Sequence, residues 1–302
     1  MLTRRAALAA GLALLASPPG ASAQAGGRIK AVATFSILGD LVRQIGGGRI
    51  EVTTLVGPNG DAHVYSPTPA DARRLAEARI VFANGLKFEG WIDRLVKSSG
   101  TKAVKVEAAT GVKPLAGDED GHGHGHGGPD PHAWQSIANA KIYAANIRDA
   151  LIMADPEGKA AYEAQAAAYL ARLDELEAEA KSLAAKIPPE RRKIITSHDA
   201  FRYFEAAYGI DFVSPQGVST EAEASAKDVG RIIQQIRREK IAAVFVENVS
   251  DARLMERIAQ ETGARIGERV YSDALSEAGG PAGTYIDMMR HNIRAFSAAL
   301  SS

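Results

Sequence analysis

Residues 155–189, DPEGKAAYEAQAAAYLARLDELEAEAKSLAAKIPP, read as one long helix set between two stretches of different character. Asp155 suits the N-cap and Pro156 the first helical position, where a missing N–H has no partner to lose. Alanine, glutamate, lysine and leucine, all good helix formers, fill the interior. Leu170, Leu173, Leu176, Leu183 and Ile187 recur at spacings of three, four or seven, which marks one buried face. Pro188-Pro189 ends the run. From Pro156 to Ile187 such a helix spans about 48 Å at 1.5 Å per residue, the length of a whole domain. Packed along two bodies, it limits their swing far more than a flexible linker would.

On both sides of this helix, strands alternate with helices. IKAVATF at 29–35 is rich in β-formers and follows Gly26-Gly27. Ile37, Leu38, Leu41, Val42 and Ile45 then take helical spacing over 36–45, until Gly46-Gly47-Gly48 stops it. Strand patterns return at 50–56, 79–83 and 102–106, with helical ones at 69–77 and 88–97. After residue 190 the rhythm repeats: strands at 193–197, 210–213, 241–246 and 264–268, helices at 199–208, 225–239 and 251–262. Ser225 can cap the 225–239 helix, and Val229, Ile232, Ile233 and Ile236 line one face. Alternation of this kind implies βαβ units and parallel sheets. The expected fold is therefore α/β, two lobes with mostly parallel sheets joined by a single long helix. The expected limits are 24–154 for the first lobe, 155–188 for the linking helix and 189–302 for the second lobe.

Composition narrows the function. The chain has 302 residues, 36 basic and 36 acidic side chains, seven histidines and no cysteine. Zero net charge argues against a nucleic-acid or anionic-membrane binder, which would carry a basic excess. Without cysteine there are no disulfides, iron–sulfur clusters, thiolate zinc sites or cysteine nucleophiles, so a metal here would need nitrogen and oxygen ligands. Residues 1–23 read as a signal peptide: Arg4 and Arg5, an apolar stretch from Ala6 to Ala16, then Ala21-Ser22-Ala23. The apolar stretch falls short of the roughly 20 residues that span a bilayer. Paired arginines suit either the general or the twin-arginine export route. Removing them leaves the mature chain slightly acidic. With no cysteine to carry a lipid, the expectation is a soluble protein free in a periplasm, not a lipoprotein.

The histidines fall into three groups. His122, His124 and His126 lie in AGDEDGHGHGHGGPD at 116–130, whose glycines, acids and alternating histidines cannot offset ordering entropy. Such a loop offers auxiliary low-affinity metal binding. His291 sits inside a terminal helical pattern, where a structural role suffices. His63, His132 and His198 each fall near the carboxyl end of a strand, where ligands gather in open α/β sheets. Asp273, after the strand at 264–268, occupies an equivalent place. Three imidazoles and a carboxylate make a full tetrahedral zinc set, with no position left open for a catalytic water. That chemistry holds a metal; it does not activate a nucleophile.

These segments resemble the metal-binding proteins of bacterial ABC importers for zinc and manganese (cluster A-I solute-binding proteins), in the zinc branch. GPNGDAHVYSPTPAD is similar to the family's first-ligand loop, which puts a metal histidine, here His63, before a Tyr-x-Pro-x-Pro pattern. DPHAW resembles the second-ligand motif at His132, SHDAFRYF the third at His198, and YSDALSEAGG the last at Asp273. NGLKFEGW and TYIDMMRHN are similar to further family segments, so the resemblance runs from about residue 29 to the C-terminus. It implies metal held in the cleft between lobes, His63 and His132 from the first and His198 and Asp273 from the second. It also implies Zn2+ as cargo, because manganese members typically carry glutamate where this chain has His198, and imidazole suits zinc. A cognate ABC permease is the implied partner, a metallochaperone a further candidate, and the chain is expected to act as a monomer. Departures from the pattern are Ala62 before the first histidine and Gln135-Ser136-Ile137 after Trp134.

Other readings remain open at this level. Manganese or iron could be the cargo, or the chain could be an adhesin with an incidental metal. A zinc hydrolase is a poor fit, because no His-Glu-x-x-His occurs in the sequence. Glu247 and Asn248 are either cleft residues supporting the histidines or local caps for the helix that starts near Ser250.

Overall fold

The computed structural model describes residues 27–116 and 128–301. The segment expected to be a signal peptide and the loop histidines His122, His124 and His126 lie outside them. Two four-stranded sheets, parallel throughout, form the two lobes. The first contains β1 (Ile29–Phe35), β2 (Ile50–Val56), β3 (Ile80–Ala83) and β4 (Val104–Glu107), in the order β2-β1-β3-β4. The second contains β5 (Lys193–Ile195), β6 (Asp211–Val213), β7 (Ala243–Val244) and β8 (Arg265–Ile266), in the corresponding order β6-β5-β7-β8. Each order reverses direction at its first strand, which opens a crevice at the strands' carboxyl ends.

Nine helices follow in chain order among the described residues: α1 (Ser36–Gly46), α2 (Pro69–Glu77), α3 (Ile92–Ser99), α4 (Ile137–Ala154), α5 (Lys159–Ala185), α6 (Arg202–Tyr208), α7 (Ala226–Glu239), α8 (Ala252–Thr262) and α9 (Tyr285–Ser301). The linking helix is α5. Its buried residues Tyr162, Ala166, Tyr169, Leu173, Leu176, Ala180 and Ala184 recur every three or four positions, while Leu170 and Leu183 are only half-buried. That face packs against α4, α1 and α9, so one apolar core runs from the first sheet through α5 into the second lobe. A smaller core under α7 and α8 belongs to the second lobe alone. A continuous core across the junction makes the lobes resist wide separation, since opening would expose apolar surface.

Local chemistry explains where sequence and structure part. The linking helix does not begin at Pro156: residues Pro156–Gly158 form a 3-10 turn, and Asp155 makes no side-chain cap. Its carboxylate is taken by Arg49, at 2.7 Å, and by the Tyr162 hydroxyl, at 2.8 Å. Gly158 fits because any Cβ there would stand 2.5 Å from the Tyr162 ring. The α3 pattern begins at Ile92, not 88, because Leu86 and Lys87 take positive φ and turn Phe88 and Trp91 into the core. β5 ends at Ile195 because the N–H groups of Ser197 and His198 leave the sheet for the Glu247 carboxylate. α7 follows expectation: Ser225 accepts from the Asp228 N–H at 3.2 Å, and Val229, Ile232, Ile233 and Ile236 are buried.

Candidate metal centre

Four loops deliver the site. His63 lies between β2 and α2, His132 ahead of α4, His198 between β5 and α6, and Asp273 between β8 and α9. The structure brings all four together, each offering one ligand atom within 4.8 Å of the others. His63 Nε2 is 3.3 Å from His132 Nε2 and 3.4 Å from Asp273 Oδ2. His198 Nε2 is 3.1 Å from Asp273 Oδ2, and His132 Nε2 is 3.5 Å from Asp273 Oδ1. His132, His198 and Asp273 are fully buried, and His63 retains 8% exposure, at the edge of the cleft. The loop histidines fall outside the described residues, and His291 sits apart, its Nε2 2.8 Å from the Arg269 carbonyl.

Two of the ring nitrogens that face away from the cluster, those of His132 and His198, meet carboxylates. His132 Nδ1 lies 2.8 Å from Asp130 Oδ1, and His198 Nδ1 lies 2.7 Å from Glu247 Oε2. The second is an ion-pair contact, and neither of its atoms has another hydrogen-bond partner. Such carboxylates fix ring orientation and direct the other nitrogen's lone pair inward. Glu247 is therefore a cleft residue, buried and accepting two backbone N–H bonds; the helix beyond it is capped by Asp251. Asp273 Oδ1 and Asp130 Oδ2 are also buried without a hydrogen-bond partner. Unpaired buried polar atoms are costly, and their concentration here marks a place built for something else.

Sequence reasoning missed Asp130 although its signal was present. Asp-x-His occurs at both Asp61-Ala62-His63 and Asp130-Pro131-His132. In each, the histidine backbone N–H donates to the aspartate Oδ1, at 2.8 and 2.9 Å. The aromatic wall was missed too. Phe88 packs edge-on against the His63 ring at 4.7 Å, and Trp134 packs 5.3 Å from the His132 ring. Trp134 Nε1 and Gln135 Nε2 both donate to the Ser272 carbonyl, at 2.9 and 2.8 Å, which ties the His132 segment to the Asp273 segment. The departure from the family pattern at Gln135 thus supplies an interlobe bond.

The electrostatics follow from burial and neighbours. Burial opposes charge on His132, but Asp273 and Asp130 outweigh it and push the imidazole up to about 9. His198 is likewise raised well above its ordinary value: burial opposes its charge, and Glu247 and Asp273 outweigh it. For Asp273, burial works against ionisation, yet the charges on His198 and His132 hold its carboxyl well below the usual range. With no metal, protons on the imidazoles balance buried carboxylates. A divalent cation can replace those protons without leaving the carboxylates uncompensated.

Residues 31–299 match the family described as ZnuA, zinc-uptake complex component A periplasmic. The chain belongs to this family. It is 36% identical to the manganese-binding lipoprotein MntA of Halalkalibacterium halodurans, over 96% of each chain. It is 32% identical to the manganese ABC transporter substrate-binding lipoprotein PsaA of Streptococcus pneumoniae, covering 95% of this chain and 94% of that one. Among solved structures, the periplasmic zinc binding protein TroA from Treponema pallidum gives a TM-score of 0.85 at 30% identity, covering 91% of this chain and 100% of that one. The Mn-bound periplasmic metal binding protein from Candidatus Liberibacter asiaticus gives 0.81 at 30% identity, covering 90% and 100%. The ZnuA family supplies substrate-binding components of metal ABC transporters and is not a family of enzymes, which removes the hydrolase reading. It does not by itself select the zinc branch, because the named relatives include manganese binders.

One expectation is corrected by these relatives. The location expected from sequence was a soluble protein, free in a periplasm and not a lipoprotein. MntA and PsaA are both named lipoproteins. The step from a missing cysteine to a protein that is not a lipoprotein is what these relatives overturn.

Proposed function

We propose that this chain is the zinc-capturing component of an ABC importer. It holds one Zn2+ on His63, His132, His198 and Asp273, and hands it to a cognate permease. The observation that carries the reading is the three-imidazole, one-carboxylate set, buried, with ligand atoms within 4.8 Å of one another. Zinc accepts that set as a closed tetrahedral site. Both halves of the set come from one chain, which supports a monomer as the working unit. The lobe limits of 24–154 and 189–302 put two ligands on each side of the cleft. The loop histidines His122, His124 and His126 would collect metal more weakly.

A manganese reading has its own support, the names of MntA and PsaA and the Mn-bound Liberibacter structure. Affinity does not separate the two readings, because nitrogen and oxygen sites generally bind Zn2+ more tightly than Mn2+. Cargo does. Cells lacking this chain should lose uptake of radioactive zinc at limiting supply and keep manganese uptake. Loss of manganese uptake with zinc uptake intact would install the manganese reading instead. His198→Glu should shift the bound metal toward manganese, read as metal content after loading from an equal mixture.

A further inference from the structure

The loop that carries His63 is tied to the opposite lobe before it reaches the metal ligands. The Asn59 N–H donates to the Leu275 carbonyl at 2.9 Å, two residues from Asp273. Asn248 Nδ2, beside Glu247, donates to Asn59 Oδ1 at 3.1 Å. The third tie differs in kind. Asp61 Oδ1 accepts the His63 backbone N–H at 2.8 Å, and Asp61 Oδ2 accepts the Thr220 hydroxyl at 2.6 Å. One carboxylate thus grips the backbone of a proposed ligand with one oxygen and the second lobe with the other.

Thr220 stands in the loop between β6 and α7, and that loop is fastened to the His198 loop. The Asp199 N–H donates to the Gly217 carbonyl at 3.2 Å, and the Gln216 N–H donates to the Ser197 carbonyl at 3.4 Å. A bonded path therefore runs from His63 through Asp61 and Thr220 to both neighbours of His198. Its central link is the only hydrogen bond along it that joins a hydroxyl to a carboxylate across the lobes. Asp61 and Thr220 are both partly exposed, at the cleft rim. The bond can break without uncovering the core, while a carboxylate acceptor makes it stronger than a neutral one.

We propose that the Asp61–Thr220 pair is the latch that sets how fast the cleft releases its metal. It acts by positioning, through His63, and touches no cargo. The latch must break before His63 and His198 can part, so its loss speeds release and leaves capture unchanged. This inference rests on the reading that His63 and His198 share one metal.

The test is a chelator chase of the zinc-loaded full chain, followed by stopped flow, with association measured separately. Thr220→Val should release zinc about tenfold faster, with the association rate within twofold of wild type. Thr220→Ser, which keeps the hydroxyl, should restore the slow release. Asp61→Ala with Thr220→Val should release no faster than Asp61→Ala alone, because both remove the same bond. The metal-free melting temperature of Thr220→Val should match wild type. Release at the wild-type rate in Thr220→Val, additive effects in the double variant, or a melting temperature that falls in step with release would overturn the latch. A wild-type chain that holds zinc while these variants behave so overturns the latch alone. A wild-type chain that holds no divalent metal overturns the functional reading and the latch with it.

Discussion

Metal binding at this site should expel protons well above the pH at which ordinary histidines have lost them. His132 is pushed up to about 9, and His198 is raised well above its usual value, both by the carboxylates around them after burial has opposed the charge. At pH 7.5 an imidazole with a pKa of about 9 is about 97% protonated, and one at 6.5 only about 10%. A metal ligand must be deprotonated, so His132 alone should release about one proton per metal at pH 7.5, and His198, raised in the same direction, adds to that count. Asp273, already ionised, releases none. Affinity should then rise by at least about tenfold for each pH unit between 6.5 and 8, a factor of about ten per proton released. Calorimetric titration of Zn2+ in buffers of different ionisation enthalpy counts those protons directly. Release of only about 0.2 proton per metal, the value for two unperturbed imidazoles, would refute the reasoning. So would an affinity that is flat above pH 7.

The same shift sets the stability of the metal-free chain. His132 has its pKa raised on folding, so its contribution is fully present below about 6.5 and is lost as pH rises through about 9. The size is about 3 kcal/mol.

Two further outcomes test the surroundings of the site. Glu247→Gln removes the charge beside His198 Nδ1 and should weaken zinc binding about 10- to 100-fold by competition titration; an unchanged affinity would return Glu247 to a structural role. Glu89 is buried, and that burial outweighs its bonds from the Asn84 N–H and the Thr34 hydroxyl, which pushes it up to about 7. A carboxyl raised on folding makes the chain less stable as pH climbs from about 4.5 through 7, by about 3 kcal/mol. Glu89→Gln, which can still accept both bonds, should flatten that part of the unfolding profile, and an unaltered profile would place the titration elsewhere.

What the sequence revealed was local or periodic. α7 could be read because Ser225 and the isoleucine spacing act within one helix, His63 and His198 because each follows a strand pattern, and His132 because it sits in the local DPHAW motif. The first turn of the linking helix could not, because Asp155 is claimed by Arg49, 106 positions away. β5 is short for the same kind of reason: Glu247, across the sheet, captures the N–H groups that would have extended it. Asp130 was within reach of sequence, since Asp-x-His occurs twice, but only in the folded chain do both aspartates grip the following histidine's backbone. The Asp61–Thr220 contact joins residues 159 apart, and no periodicity announces it.

One zinc ion should sit on His63, His132, His198 and Asp273. A crystal of the zinc-loaded chain, measured on both sides of the zinc absorption edge, tests it directly. One strong anomalous peak should lie in the cleft, about 2.0–2.2 Å from His63 Nε2, His132 Nε2, His198 Nε2 and an Asp273 carboxylate oxygen. A peak lying elsewhere, or a cleft with none while zinc occupies other residues, would contradict it.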